Sequence, residues 1–129
     1  MTHHAIQRAT PRPPKELALH KFTAQLLRLQ AAPCVLWHHV PNGEARSAAT
    51  GAKLKAMGVR AGVADFSITL PGGRSAYLEL KRPGGRASTS QKQFRADAEA
   101  AGALYAIAET PEQVQSILTG WGALYRRAA

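Results

Sequence analysis

Two short segments of alternating character, separated by a proline–glycine turn, constrain this chain more than any other part of it. Residues 65–70 read Asp-Phe-Ser-Ile-Thr-Leu, and residues 76–81 read Ala-Tyr-Leu-Glu-Leu-Lys. Alternation with a period of two marks a strand with one buried face. Phe66, Ile68 and Leu70 share one face of the first segment, and Asp65, Ser67 and Thr69 share the other. In the second, Ala76, Leu78 and Leu80 are apolar, and Tyr77, Glu79 and Lys81 lie opposite. Between them, Pro71-Gly72 suits the central positions of a type II turn, so a hairpin is expected. Pairing the strands joins their apolar faces in one core. It also holds two carboxylates and one ammonium together on the opposite face.

The flanking sequence supplies the remaining elements. A helix is expected from Pro14 to Gln30, with Leu19, Phe22, Leu26 and Leu29 as its buried stripe. Pro33 ends it, and the apolar run Cys34 to Val40 reads as a strand. Lys53 to Gly58 has the look of a short helix closed by glycine. Ser88 and Gln91 have the spacing of a capping box for a helix running to about Ala101 and burying Phe94, Ala98 and Ala101. Leu104 to Ala108 is a fourth strand, and Thr110-Pro111 opens a last helix with Val114, Ile117, Leu118 and Trp121 inward. The order is helix, three strands, helix, strand, helix. That order predicts an α/β fold, a mixed sheet with helices packed on both faces. Residues 1–12 are expected to form a flexible arm, and residues 13–129 one domain.

Charge narrows the partners. The net charge is +9, and between Leu17 and Ala64 the only acidic residue is Glu44, against Lys21, Arg28, Arg46, Lys53, Lys55 and Arg60. Lys81, Arg82, Arg86, Lys92 and Arg95 make a second basic stretch. Such a surface binds polyanions by counterion release. The basic residues do not fall on one long helix with a bulky apolar face, which disfavours a membrane partner. No run is long enough to span a bilayer, and the first residues lack the apolar segment of a signal peptide. A lone cysteine, Cys34, rules out an internal disulfide and fits a reducing, cytoplasmic setting; its expected role is that of a small buried hydrophobe.

A basic chain with paired carboxylates poses an electrostatic question, because carboxylates facing a polyanion repel it unless a cation intervenes. Phosphodiester hydrolysis needs an activated water, neutralised phosphate charge and help for the leaving oxygen. A divalent metal held by carboxylates supplies all three. Asp65 and Glu79 are suitable ligands for Mg²⁺ or Mn²⁺, the Leu80 carbonyl offers another oxygen, and Lys81 can orient water or stabilise the phosphate. A Glu-x-Lys triplet by itself is common on solvated strands. Its weight comes from conjunction with Asp65, the shared face and the basic chain. His38 and His39 end a strand beside the site, but without a third ligand at metal spacing they do not make a zinc site.

The pattern Gly62-Val63-Ala64-Asp65, Glu79-Leu80-Lys81 and Ser88-x-x-Gln91 resembles the virus-type replication-repair nuclease domain, VRR-NUC, of the PD-(D/E)xK nuclease superfamily. The segments His39 to Gly43, Arg46 and Gly58 to Gly62 resemble its small stand-alone members from phages and prophages. The likeness runs from about Glu16 to Trp121, and one departure is Ala64, where proline often precedes the aspartate. The resemblance implies a restriction-endonuclease-like core. It implies Asp65 and Glu79 as metal-binding carboxylates assisted by the Leu80 carbonyl, Lys81 as the catalytic lysine, Gln91 as a glutamine facing the site, and Glu16 as the acidic residue of the first helix. Gln91 has a second reading as half of the capping box, and Glu16 a second reading as a favourable charge at a helix N-terminus. Asn42, Arg46, Lys53, Lys55, Arg60, Arg82 and Arg86 are the expected phosphate contacts.

The expected function is therefore a Mg²⁺- or Mn²⁺-dependent DNA endonuclease. The resemblance further implies a preference for branched or flapped DNA, including Holliday junctions, and a homodimer. The alternatives are a DNA-binding module without turnover and a site-specific restriction-type nuclease on the same scaffold.

Overall fold

A computed structural model describes residues 14–41 and 47–125. The elements run α1 (Pro14–Gln30), β1 (Leu36–His39), α2 (Ala48–Ala56), β2 (Phe66–Thr69), β3 (Ser75–Leu80), α3 (Thr89–Ala100), β4 (Leu104–Ala108) and α4 (Pro111–Gly120). The expected arm, residues 1–12, lies outside the described residues, as do Asn42 and Arg46.

The strands form one sheet in the order β1-β2-β3-β4. β1 and β2 pair antiparallel, as do β2 and β3, and β4 joins β3 in parallel through the α3 crossover. The expected hairpin is present: Phe66 pairs with Leu78 and Thr69 with Ser75. Its turn closes with a bond from the Gly73 N–H to the Leu70 carbonyl at 2.9 Å. Gly72, at the third turn position, has φ 88°, as a type II turn requires.

Helices cover both faces. On one face Phe66, Ile68, Leu70, Leu78 and Leu80 pack with Leu19, Leu26 and Leu27 of α1 and Val114 and Leu118 of α4. On the other, Phe94 and Ala98 of α3 pack with Ala64, Tyr77 and Tyr105. The Tyr77 and Phe94 rings meet edge to face, 5.0 Å between centroids. The polar side of the hairpin is thus roofed by α3 rather than open to solvent, and Asp65 and Glu79 are only 4% and 3% exposed.

Four local expectations are corrected. Leu29 is 71% exposed, and Leu27 takes its place in the core. The α1 stripe includes Thr23, whose hydroxyl is satisfied within the helix by donating to the Leu19 carbonyl at 2.8 Å. Cys34 is exposed, not buried, and lies outside β1. It occupies a reverse turn in which the Val35 N–H donates to the Ala32 carbonyl at 3.2 Å, and it takes a left-handed φ of 67°. The helix expected over residues 53–58 starts earlier, at Ala48, because Ser47 caps it by accepting from the Thr50 N–H. It ends as expected, with Gly58 at φ 99° and bonds from the Gly58 and Val59 N–H groups to the Lys55 and Leu54 carbonyls. Ala101 is exposed because it is the C-cap of α3 and not part of its buried face.

Candidate active site

The site lies at the ends of β2 and β3, where the hairpin leaves the sheet. Asp65 immediately precedes β2, and its Oδ2 accepts the Leu80 N–H of β3 at 2.7 Å. The backbone of the same residue accepts from the end of β1: its carbonyl takes the N–H of Val40, the residue just after that strand, at 2.8 Å. It also lies 2.9 Å from His39 Nδ1. A carbonyl only accepts, so that contact sets the His39 tautomer with the proton on Nδ1. Asp65 is therefore fixed from both neighbouring strands.

Glu79, Lys81 and Gln91 form a second, contiguous group. Gln91 Oε1 accepts from Lys81 Nζ at 2.8 Å, and Gln91 Nε2 donates to Glu79 Oε1 at 3.2 Å. Lys81 Nζ is itself 3.6 Å from Glu79 Oε1. The same Gln91 oxygen accepts the Ser88 N–H at 2.8 Å, while the Ser88 hydroxyl takes the Gln91 N–H at 3.2 Å. The capping box is complete. Gln91 thus completes the capping box and contacts Lys81 and Glu79 as well, because a residue in the first turn of α3 is also one that the β3–α3 loop brings over the end of β3.

The approach to this site depends on Gly62. A Cβ placed there would fall 2.3 Å from the Ser90 carbonyl carbon and 2.7 Å from the Gln91 nitrogen, and Gly62 has φ 81°. Only glycine lets the loop before β2 pass this close to the start of α3.

A third side of the site comes from α1. Glu16, His20 and Asp65 each offer a ligand atom within 4.8 Å of the others. His20 is buried, with Nε2 3.5 Å from Asp65 Oδ1. Glu16 is thus beside Asp65, and Glu79 is not in that trio. His20 was missed from the sequence, although one signal was there. It lies four residues after Glu16, on the same face of a helix and next to the buried Leu19. A cleft of about 430 Å³ opens beside it, lined by Leu17, Lys21, Arg28, His39 and Phe66.

The expected phosphate contacts divide. Lys53 and Lys55 are exposed in the last turn of α2, and Arg82 and Arg86 are exposed in the β3–α3 loop that follows Lys81. Lys55, Arg60 and Gly62 line a hollow of about 620 Å³. Arg60 is engaged with α3: it pairs with Asp97, and its guanidinium lies over the Phe94 ring, 5.4 Å from the centroid. The Arg60 and Gln93 donors hold the Asp97 carboxyl below the usual carboxylate range. On β4, burial first and then the charge of Glu79 push the Tyr105 phenol up to about 12.

No family model and no curated protein matches the sequence. Solved structures do match by shape. One, named "VRR_NUC domain protein", is 20% identical with a TM-score of 0.69, covering 86% of this chain and 90% of that chain. Another, named "VRR_NUC domain", is 16% identical with a TM-score of 0.60, covering 84% of this chain and 99% of that chain. The motifs and the three-dimensional comparison thus converge, and this α/β chain has the fold of VRR_NUC domains.

Proposed function

We propose that this protein is a divalent-metal-dependent DNA endonuclease. The observation that carries the reading is the join between its two groups of side chains: Asp65 is bonded to the backbone of Leu80, and the residues on either side of Leu80 are tied through Gln91. The donor set fits a hard cation. Two buried carboxylates at the ends of paired strands, a carbonyl between Glu79 and Lys81, and Glu16 nearby are oxygen donors of the kind Mg²⁺ and Mn²⁺ take. Asp65, Glu79 and the Leu80 carbonyl would hold the ion, with Glu16 as a further ligand. When bound, it would neutralise the scissile phosphate and acidify a water.

The chain's own groups do the rest. Lys81 carries its ammonium to the phosphate side of the carboxylates, where it orients the attacking water and stabilises negative charge on the phosphoryl oxygens. Gln91 holds Lys81 in place through Oε1 and holds Glu79 through Nε2, so one amide sets both the cation and the carboxylate. Lys53, Lys55, Arg82 and Arg86 supply phosphate contacts that are indifferent to base sequence. Arg60 contributes chiefly by binding the loop before β2 to α3. Asn42 and Arg46, outside the described residues, are proposed as phosphate contacts on their sequence alone. The motif resemblance supports branched or flapped DNA as the preferred substrate and a homodimer as the working form.

The test compares the parent with Lys81→Ala on labelled duplex, flap, four-way junction and single-stranded DNA, with Mg²⁺, Mn²⁺ or chelator. Metal-dependent cutting lost in the variant supports the proposal. Metal-dependent binding with no cutting on any substrate overturns it in favour of a non-catalytic DNA-binding module. Light scattering at working concentration tests the dimer, and a monomer mass removes it.

A further inference from the structure

We infer that Glu16, His20 and Asp65 form a mixed nitrogen–oxygen cation site in which the His20 imidazole binds Mn²⁺ in preference to Mg²⁺. The inference rests on the metal-dependent reading above and deepens it, because it concerns which cation the α1 side of Asp65 selects. Three observations carry it. The ligand atoms of the trio lie within 4.8 Å of one another. His20 and Asp65 are 8% and 4% exposed, so the imidazole meets the Asp65 carboxylate away from bulk water, with the half-buried Glu16 carboxylate close by. Finally, His20 Nε2 is 3.5 Å from Asp65 Oδ1. Two atoms each about 2.2 Å from a shared ion, at the right angle of the octahedral geometry Mn²⁺ takes, are roughly 3.1 Å apart, so a closure of a few tenths of an ångström lets both reach one ion.

The ring is also held in one plane. It meets His39 edge to face at 5.2 Å and lies 5.8 Å from the Phe66 ring. A ligand fixed by packing loses little freedom on binding. Glu16, in the first turn of α1, is half-buried and has a long side chain that can close on the ion. Mg²⁺ takes oxygen ligands and keeps its waters; Mn²⁺ also favours oxygen, but as the softer ion it exchanges a water for an imidazole nitrogen more readily than Mg²⁺ does. The rival account makes His20 an imidazolium that only balances the Asp65 charge. In that case any bound ion is ligated by oxygen alone.

The experiment is pulsed electron paramagnetic resonance on the full chain loaded with one equivalent of Mn²⁺, prepared with natural and with ¹⁵N-labelled histidine. The expected result is a nitrogen modulation that changes with the isotope and is lost in His20→Gln. Titration should show Mn²⁺ affinity falling about tenfold or more in that variant, with Mg²⁺ affinity changed less than about threefold. If His20→Gln does not fold, a chain with His3, His4, His38 and His39 all changed to Gln keeps His20 as its sole histidine, and the modulation must persist there. Bound Mn²⁺ without nitrogen coupling overturns this inference and leaves the nuclease reading standing. A nitrogen signal that survives His20→Gln also overturns it. A protein that binds no Mn²⁺ overturns both.

Discussion

Gln91 bonds the Lys81 ammonium through its carbonyl oxygen at 2.8 Å, and that same oxygen accepts the Ser88 N–H that begins α3. The start of a helix and the proposed catalytic lysine are thus held by one atom. Structural and chemical roles can be separated here by choosing which partner to remove.

Ser88→Ala deletes the hydroxyl cap and leaves Gln91 able to reach Lys81 and Glu79. It should cost about 1 kcal/mol of stability, as N-cap deletions do, with the cleavage rate within about threefold of the parent. Gln91→Ala removes the box and both side-chain contacts. It should cost a similar amount of stability but lower the single-turnover rate by roughly 10- to 100-fold. Urea denaturation and single-turnover cleavage, run on the same preparations, check the pair. Equal rate losses in the two variants would show that Gln91 acts only as a cap.

Gly62→Ala should be among the most damaging single changes. The added methyl would lie 2.3 Å from the Ser90 carbonyl carbon, which is backbone and cannot rotate away, and the residue has φ 81°. We expect a loss of more than about 2 kcal/mol and weakened cleavage, because relief of the clash moves the first turn of α3, and Gln91 with it. Gly58→Ala is the control: it has a positive φ but open space around the methyl, so its cost should be smaller, about 1 kcal/mol. Denaturant midpoints rank the two.

Cys34→Gly should stabilise the protein. Cys34 holds φ 67° in an exposed turn, a region that costs an L-residue about 1–2 kcal/mol and glycine nothing. Glycine's larger unfolded-state entropy offsets part of that gain, leaving up to about 1 kcal/mol. A rise in melting temperature with unchanged cleavage is the expected outcome. A fall would mean that the Cys34 side chain makes a contribution larger than its backbone strain.

The fold should lose stability as pH rises through the range from 10 to about 12. Burial and the Glu79 charge push the Tyr105 phenol up to about 12 from an ordinary 10.0. Across that window the unfolded chain releases the phenolic proton while the folded chain keeps it, so the folded state binds more protons and stability falls with pH. Tyr105→Phe removes this contribution, and its alkaline unfolding curve should be flatter than the parent's. The cleavage profile below pH 10 should be the same in both, because the phenol is protonated throughout.

Much was legible in the sequence because it depends on local pattern. Period-two alternation over residues 65–70 and 76–81 sets the hairpin register, since a slip of one residue would turn Phe66, Ile68 and Leu78 outward. Once that register holds, Asp65, Glu79 and Lys81 must come to the same end of the sheet. Ser88 and Gln91 announced their capping box by spacing alone. Other features were decided only by tertiary packing. Whether Leu27 or Leu29 enters the core depends on how α1 rotates against the sheet, which the stripe of α1 by itself leaves open. Cys34 reads as part of an apolar run, but the chain must reverse after Pro33 to carry Leu36 into pairing with Thr69, and that turn places Cys34 outside. The approach of His20 to Asp65 is the clearest case. Forty-five positions separate them, and only the packing of α1 on the hairpin brings a buried imidazole to 3.5 Å from a buried carboxylate. Periodicity reports which face of an element is buried; it does not report which polar group on a neighbouring element will be met there.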